Sequence, residues 1–538
     1  LNKKFSRKNI SNLAYDYFYA HDKLSNFFSA NFRHIQEFRR HAELVRNRDI
    51  KREALAGILL KQNQDYGCGS RTNENIERLS QDQTCAVVTG QQVGLFSGPL
   101  YTIYKSLTAI KLAEYLSQNL PGSYVPVFWM ASDDHDFAEI DHINLMAKDN
   151  RVKKIRYESS FSGQKIPASK LELTEDISDY IQQLDDMTLD SEFKSKILRH
   201  LSEAYKPGRS FSQAFGKWMT RLFQSKGLIF MDASHARLKA LGSEIFKREI
   251  TGDSPSTKRA LETSEILRQA NYHTQIQLHE GKLNLFFAEN ERQTIHLRED
   301  GIFVVARDRT YEKSELLSLL DANPEIFSPN VLLRPLYQDA LLPTVAYVGG
   351  PGEIAYFAQM KGVYDSFSLP MPVIYPRKSV TVIEKNIDHI MEKYGVKIEA
   401  IWQDADGVIK KIAKKQIPEA VDESIRGASS HLEEDFDAVK QQIMAFEPAL
   451  EKSADAALGK MKRQLKFLEN KILQASKKRN NIAVRQLQRV KNSLYPGGRM
   501  QERVFNIVPF LIKYDYTFVD KLYERVGIDA FDHQVIKL

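Results

Sequence analysis

Asp133, Asp134, His135 and Asp136 stand in one unbroken run, directly after the apolar stretch Tyr124-Val125-Pro126-Val127-Phe128-Trp129-Met130. Four ionisable side chains at the end of a strand make poor core, and in an open α/β sheet the carboxyl edge is where ligands bind. His135 could serve as a base toward an amine, with Asp134 or Asp136 orienting it. The carboxylates could instead hold a substrate ammonium or sugar hydroxyls. Asp134, His135, Asp136 and His142 are also hard or borderline metal ligands, but their spacing matches no established metal motif, and no metal is assigned. A solvated acidic loop with helix-capping aspartates is the plain alternative.

Two glycine turns carry the next signal. Cys85–Thr89 is a short β-branched run that suits a strand buried on both faces. Gly90, Gly94 and Gly98 follow, and from Pro99 the pattern turns helical, with Leu100, Ile103, Tyr104, Leu107, Ile110 and Leu116 on one side. Strand, glycine loop and helix N-terminus can present backbone N–H groups to a phosphate or carboxylate. The spacing matches neither the dinucleotide fingerprint nor a P-loop, so a tight turn explains it equally well. The arrangement recurs at Leu342–Val348, Gly349, Gly350 and Glu353, the last in the first turn of a predicted helix, where a carboxylate is favoured. Arg334 is a natural partner for a carboxylate or phosphate, or else pairs with Asp339. After a further strand at Met371–Tyr375, Arg377, Lys378 and Ser379 either suit a phosphate or cap a following helix at Ser379.

These sites must be held by a scaffold of some size. At 538 residues the chain has room for roughly two to four structural units. It is 42% hydrophobic and 27% charged, as an ordinary soluble protein is, and no apolar run reaches the length of a membrane span. Arg7 and Lys8 lie in a basic start with no apolar run behind it, which predicts no secretory signal. Two cysteines, Cys68 and Cys85, cannot build a disulfide framework, and a reducing cytoplasm fits best. The net charge of +7 is mild and decides nothing alone.

Residues 1–80 read as a helical extension that packs on the rest. The strand, loop and helix units occupy 81–145 as the first half of a core. A first connecting insertion follows at 146–225, with Arg151–Tyr157 as an edge strand. Residues 226–270 return to core and helix, opening on the buried strand Gly227–Ser234. Alternation from 274 to 307, through Gln275–Leu278 and ending at Ala306, predicts a small antiparallel insertion over 271–310. The second half of the core spans 311–385. Beyond it, heptad-like spacing at Phe436–Leu450 and Met461–Ile482 predicts a coiled-coil arm over 386–495. A helix from Ala449 to Ser493 would be about 65 Å long, which calls for a hairpin pairing with itself or with a second subunit. Its many lysines and arginines, Lys477, Lys478 and Arg479 among them, read as a solvated coiled-coil surface and not as a nucleic-acid site. Leu494–Arg503 breaks the helix and either joins helices or closes a second anion pocket, and 496–538 packs back on the core.

Five blocks make a family visible: TGQQVGLFSGPLYTIYKS (89–106), SDDHDFAEIDH (132–142), SPNVLLRPLYQDALLPTVAYVGGPGEIAYFAQ (328–359), PVIYPRKS (372–379) and LYPGGRMQERVFN (494–506). In this order they resemble the cysteine-adding enzymes of bacillithiol biosynthesis, a cysteine ligase family. That family tends to carry Glu-Asp-His-Asp where this chain has Asp133–Asp136, a swap that shortens one reach. The resemblance implies an α/β fold: a Rossmann-like parallel-sheet core related to class I synthetases and nucleotidylyl transferases, with connecting insertions and a long α-helical coiled-coil arm that makes a homodimer. It implies amide formation between the carboxyl of cysteine and the amine of glucosaminyl-malate, with ATP or ADP expected because a free carboxylate needs activation. The synthetase HIGH motif is absent, and Gly94–Pro99 stands in its place. A nucleotide-binding scaffold, or a ligase or nucleotidylyl transferase of another substrate, is the competing reading.

The catalytic candidates are Asp134, His135 and Asp136. The candidates for substrate and anion binding are Thr89, Gln91, Gln92, Gly94, Ser97, Gly98, Tyr101, Arg334, Gln338, Asp339, Tyr347, Gly349, Gly350, Glu353, Arg377 and Ser379. The resemblance also implies an adenine-nucleotide pocket near the coiled coil, apart from the main site, expected at Gly497, Gly498, Arg499, Gln501 and Arg503.

Overall fold

The computed structural model describes residues 2–5, 10–158, 163–289, 291–305, 309–414, 419–479 and 481–538. Arg7, Lys8, Ala306 and the side chains of Lys477, Lys478 and Arg479 lie outside the described residues. The chain divides into two compact units, one made of Leu1–Thr381 with Glu502–Ile536, the other of Val382–Gln501 with Lys537–Leu538.

The first unit is built on five parallel strands: β1 Thr84–Gln91, β2 Ser123–Met130, β3 Ile229–Asp232, β4 Thr344–Gly349 and β5 Val373–Pro376. Their order is β5-β4-β1-β2-β3. Nearly every residue of these strands is buried whichever way its side chain points, so helices cover both faces of the sheet. The chain grows outward from β1 through β2 to β3, then returns to the other side of β1 for β4 and β5. The reversal falls between β1 and β4, and there the carboxyl ends of the strands leave a crevice.

The N-terminal helices do more than pack. β3 is an edge strand, and its outer row of backbone groups would be orphaned without a partner. Asn63 Nδ2 donates to the Phe230 carbonyl at 2.8 Å, and its Oδ1 accepts the Phe230 N–H at 2.9 Å. Gln62 repeats the pair on Asp232, at 3.0 and 3.2 Å. Two side-chain amides on one helix, Arg52–Tyr66, thus stand in for a sixth strand.

Three local expectations are corrected. Val152–Arg156 is not an edge of the core sheet but pairs antiparallel with His142–Met146 in a separate ribbon. Asp141 ties that ribbon together, accepting from Arg156 Nε at 2.6 Å and contacting His142 Nδ1 at 2.8 Å, which takes His142 away from the acidic run. The antiparallel insertion starts at Lys282, because the N–H groups of Gln275 and Ile276 both donate to Gln359 Oε1 at 2.8 Å and hold that stretch as a loop. It also gains a fifth strand, Phe327–Pro329, which runs beside Lys282–Phe287. Ser379 caps no helix, since strand Val380–Ile383 follows it.

The second unit is helical: Lys385–Tyr394, Ile398–Lys414, Glu419–Phe446, Glu451–Arg479 and Asn481–Leu494. Pro448–Leu450 forms the turn between the two long helices. Lys440 meets Asp455 at 2.7 Å and Lys462 meets Glu433 at 2.9 Å, so partner numbers rise on one helix as they fall on the other, and the hairpin is antiparallel. The expected stretch from Ala449 to Ser493 is described as two helices, with residue 480 outside the described residues. Its basic side chains pair with acids, Lys466 with Glu469 at 2.6 Å and Lys491 with Asp406 at 2.7 Å. Among the described residues no helix is long and apolar enough to cross a membrane.

Candidate active site

A cavity of about 810 Å³ opens at the carboxyl ends of β1, β2, β4 and β5, within the first unit. Each wall comes from one turn. β1 ends in Gly90, Gln91 and Gln92; β2 runs into Asp133, Asp134 and His135; β4 into Gly350–Glu353; β5 into Arg377. The antiparallel insertion adds Phe286, Arg292 and Pro329, and the loop before it adds Gln275–Gln277. Four turns far apart in the polypeptide thus share one rim of one parallel sheet.

The acidic wall is held from several sides. Asp134 Oδ1 accepts the His135 backbone N–H at 2.7 Å, closing a local turn, and its Oδ2 accepts from Gln92 Nε2 at 2.8 Å. Asp133 pairs with Lys239, a buried lysine on the helix Ala236–Thr251 whose pKa burial pulls down. His135 Nδ1 lies 3.1 Å from Nη1 of Arg292. Asp136 faces away: it is exposed and lines a neighbouring cavity of about 550 Å³ that shares only the Gln92, Asp134, His135 and Glu139 wall.

The opposite wall is basic, and most of its charge is already neutralised. Lys105, on helix α1 Tyr101–Asn119, is buried. It donates to the Gly90 carbonyl at 2.7 Å, to Gln91 Oε1 at 3.0 Å and to Glu353 Oε2 at 2.5 Å. Burial alone would raise the Glu353 carboxyl, but Lys105, the Gly350 N–H and the Tyr347 hydroxyl at 2.7 Å hold it below the usual range. Arg377 Nη2 donates to Glu502 at 2.8 Å, both groups being buried. Arg334 opens helix α2 Arg334–Leu341 and differs from both. Nη1 reaches Gln338 and Nη2 the Tyr356 hydroxyl, each at 2.9 Å, and the guanidinium lies 5.4 Å from the centre of the Tyr347 ring. All three partners are neutral side chains. Arg503 completes this wall.

The expected pair of Arg334 with Asp339 does not form. Asp339 is buried, accepts from the Tyr364 hydroxyl at 2.5 Å and from Gln338 at 2.8 Å, and its carboxyl is pushed up by burial. Gln338, Asp339, Thr89 and Gly349 are therefore core groups behind the cavity; Thr89 donates to the Val348 carbonyl at 2.9 Å, and Gly349 accepts from the Arg377 N–H at 2.8 Å. Ser379 is buried between Glu502 and His533 Nδ1, each at 2.7 Å.

Neither glycine turn is an anion cradle. The N–H groups of Gly94, Ser97, Gly98 and Leu100 go to the carbonyls of Gln92, Gly94, Leu95 and Phe505. Asn506 Nδ2 pins the same loop by donating to the carbonyls of Phe96 at 2.9 Å and Gly98 at 2.7 Å. A Cβ on Gly94 would come within 2.9 Å of Gly98 Cα, so the spacing that suggested phosphate binding serves a loop folded on itself. In the second turn the Gly350 N–H donates to Glu353 at 2.8 Å, and Pro351, the first residue of helix α3 Pro351–Phe357, has no N–H. The N–H groups named here are thus taken up within the chain.

The residues of the expected second pocket belong to both units. Gly497, Gly498 and Arg499 form an exposed turn of the second unit, with Gly497 and Gly498 at φ +58° and +76°. Gln501 holds backbone there, donating at 3.0 Å to both the Val382 and Ser493 carbonyls. Arg503 lies in the cavity of the first unit. Among the described residues no group of three or more His, Cys, Asp or Glu is placed to hold a metal ion.

With this geometry in hand, the chain was compared with known proteins. Residues 2–378 match the model "Bacillithiol biosynthesis BshC, N-terminal Rossmann-like domain", and 380–538 match "Bacillithiol biosynthesis BshC, C-terminal coiled-coil domain". The chain belongs to the BshC family. Relatives named "Putative cysteine ligase BshC" include those of Salinibacter ruber, 36% identical over 97% of this chain and 95% of the relative, and of Chloroherpeton thalassium, 34% identical over 95% and 93%. A third, from Bacillus cytotoxicus, is 31% identical over 92% of both chains. Set against this BshC frame, sequence reasoning missed four side chains of the site and its support. Lys105 and Glu502 sit inside blocks that carried the resemblance, so their type and place were visible. Lys239 and Arg292 sit in stretches with no motif, and only the folded chain brings them to the acidic run.

Proposed function

We propose that this chain is a cysteine ligase of bacillithiol biosynthesis, joining the carboxyl of cysteine to the amine of glucosaminyl-malate. The observation that carries the reading is the polarity of the cavity. Asp133, paired with Lys239, Asp134, whose Oδ1 lies 3.5 Å from Nη1 of Arg292, and Glu139 line one side, and Arg334, hydrogen-bonded to neutral side chains, lines the other. The charge of Glu353 acts on Arg334, but the guanidinium's hydrogen bonds to Gln338 and Tyr356 are to neutral groups, and its planar fork suits two parallel hydrogen bonds to an incoming carboxylate. Glucosaminyl-malate has the complementary shape, an amine at one end and two carboxylates at the other. Asp134 binds the amine, Arg334 the malyl carboxylates, and the Trp129 and Tyr347 side chains border the space between them.

The arm is proposed to make the homodimer. Val439, Phe446, Phe467, Leu468 and Ile482 are exposed on its helices, Phe446 at 87% and Ile482 at 71%, more apolar surface than a solvated hairpin needs. The amine forms the amide by displacing a leaving group from an activated cysteine carboxyl, and the two glycine turns are not assigned to that activation.

Binding of glucosaminyl-malate measured by calorimetry tests the reading without any need for an activated donor. Arg334→Ala should weaken binding by about 30-fold or more, since it removes a charged partner from the cavity wall. Asp134→Asn should weaken it while leaving the affinity for free malate unchanged. Equal affinity of wild type and Arg334→Ala would overturn the assignment.

A further inference from the structure

His135 sits in the cavity wall beside Phe286, ring centres 6.0 Å apart, with its Nδ1 3.1 Å from Nη1 of Arg292. A guanidinium has five N–H donors, no acceptor, and does not deprotonate in proteins. Nδ1 must therefore offer its lone pair in this contact, and the single proton of the neutral ring sits on Nε2.

Arg292 is held too firmly to give the contact up. It is 6% exposed, and its Nε donates to Ser328 Oγ at 3.1 Å and its Nη2 to the Pro329 carbonyl at 2.8 Å. Its backbone N–H donates to the Lys165 carbonyl at 2.8 Å, and its guanidinium lies over the Phe286 ring at 4.1 Å. The surrounding charges agree with a neutral ring. Burial makes a second proton less welcome, Arg292 and Lys165 add to this, and Asp134 and Asp136 oppose it without reversing the balance. Asp134 does not compete for Nδ1, since its Oδ1 is 3.8 Å away and already accepts the His135 backbone N–H.

We propose that Arg292 is a positioning residue that locks His135 in the Nε2–H tautomer, so that His135 meets the bound substrate as a neutral hydrogen-bond donor to a carboxyl or carbonyl oxygen. Taking a proton from an amine would need a free lone pair, and the only one on this ring faces a guanidinium. A fixed N–H aimed at an acyl oxygen instead stabilises the negative charge that gathers there when an amine adds. The donor role rests on the ligase reading; the tautomer does not.

The tautomer is read from two-bond proton–nitrogen correlations of the full chain labelled in its histidine rings, with the His135 signals assigned by their loss in His135→Gln. The expected pattern at pH 8 is a proton on Nε2 and none on Nδ1. In Arg292→Met the same ring should become a tautomer mixture with a raised pKa, while Arg292→Lys, which keeps a cationic donor, should restore part of the wild-type pattern. An Nδ1–H pattern in the wild type, or an unchanged pattern in Arg292→Met, overturns the lock. In the ligase assay His135→Ala should lower kcat/KM by about 10²–10³-fold, and His135→Gln, which keeps an N–H donor, by less than about tenfold. If the Gln variant is as impaired as the Ala variant, the donor role fails and the tautomer stands. A wild type without ligase activity overturns the ligase reading, and the correlation spectra still decide the tautomer.

Discussion

Replacing Lys105 by Met should unbalance the floor of the cavity. The ammonium serves the Gly90 carbonyl, Gln91 and Glu353 at once, and its loss leaves the Glu353 carboxylate with the Gly350 N–H and the Tyr347 hydroxyl as donors and with the more distant charges of Arg334 and Arg377. Breaking one side of a buried ion pair costs about 3–5 kcal/mol. Glu353 keeps 20% of its side chain accessible, so about 2–4 kcal/mol is the figure expected here. The pH dependence identifies the cause. In the wild type the Glu353 carboxyl is held below its ordinary value, so its contribution is present above that value and fades as the pH falls through the folded pKa. Without Lys105, burial weighs more heavily against the carboxylate and its pKa moves up, so the stability it contributes above its ordinary value shrinks, and the variant should be less impaired at pH 5 than at pH 8. Urea unfolding followed by tryptophan fluorescence in a Trp402→Phe background, where Trp129 and Trp218 report the first unit, measures both effects. Adding Glu353→Gln should recover about 1–2 kcal/mol relative to the sum of the single changes. A loss below about 1 kcal/mol at pH 8, or an equal loss at both pH values, would refute the ion-pair account.

Asn63→Ala should cost about 1–3 kcal/mol and speed hydrogen exchange at the Phe230 amide, because it strips two ladder bonds from the edge of β3. An unchanged exchange rate would show that the edge needs no substitute strand. Burial lowers His21, His41 and His533 to about 4 each. The unfolded chain takes up protons below about pH 6.5 that these folded sites refuse, so stability should fall as pH drops from 6.5 toward 4, by about 2 kcal/mol per histidine at pH 5. His533→Gln should flatten part of that slope in urea titrations at pH 7 and pH 5. Substituting Asp136 with Asn should leave glucosaminyl-malate affinity within about threefold of wild type, since its side chain lies outside the main cavity, and calorimetry checks this.

The sheet was legible in the sequence because its strands are buried on both faces and read as unbroken apolar runs, with ionisable and glycine residues gathered at one end. The long helices of the arm were legible for a similar reason, through their repeating apolar spacing. What misled was the double meaning of glycine. A Gly at 94 or 98 signals close backbone approach, but not whether a phosphate or the loop's own backbone makes it. Hydrogen-bond partners from distant segments decided that, above all Asn506. The same limit applies to charge: Arg334, Arg377 and Lys105 look alike in sequence, and only the folded chain shows that Glu502 and Glu353 neutralise two of them. Arg292 had no local signal, because its role comes from an insertion packing against a different part of the chain.

The most direct test of the central claim is the thiol content of cells that lack this gene. Deletion should abolish bacillithiol and accumulate glucosaminyl-malate; the wild-type gene should restore the thiol, and the Arg334→Ala variant, expressed to the same level, should not. Normal bacillithiol in the deletion strain, or full restoration by Arg334→Ala, would contradict the ligase reading of the cavity.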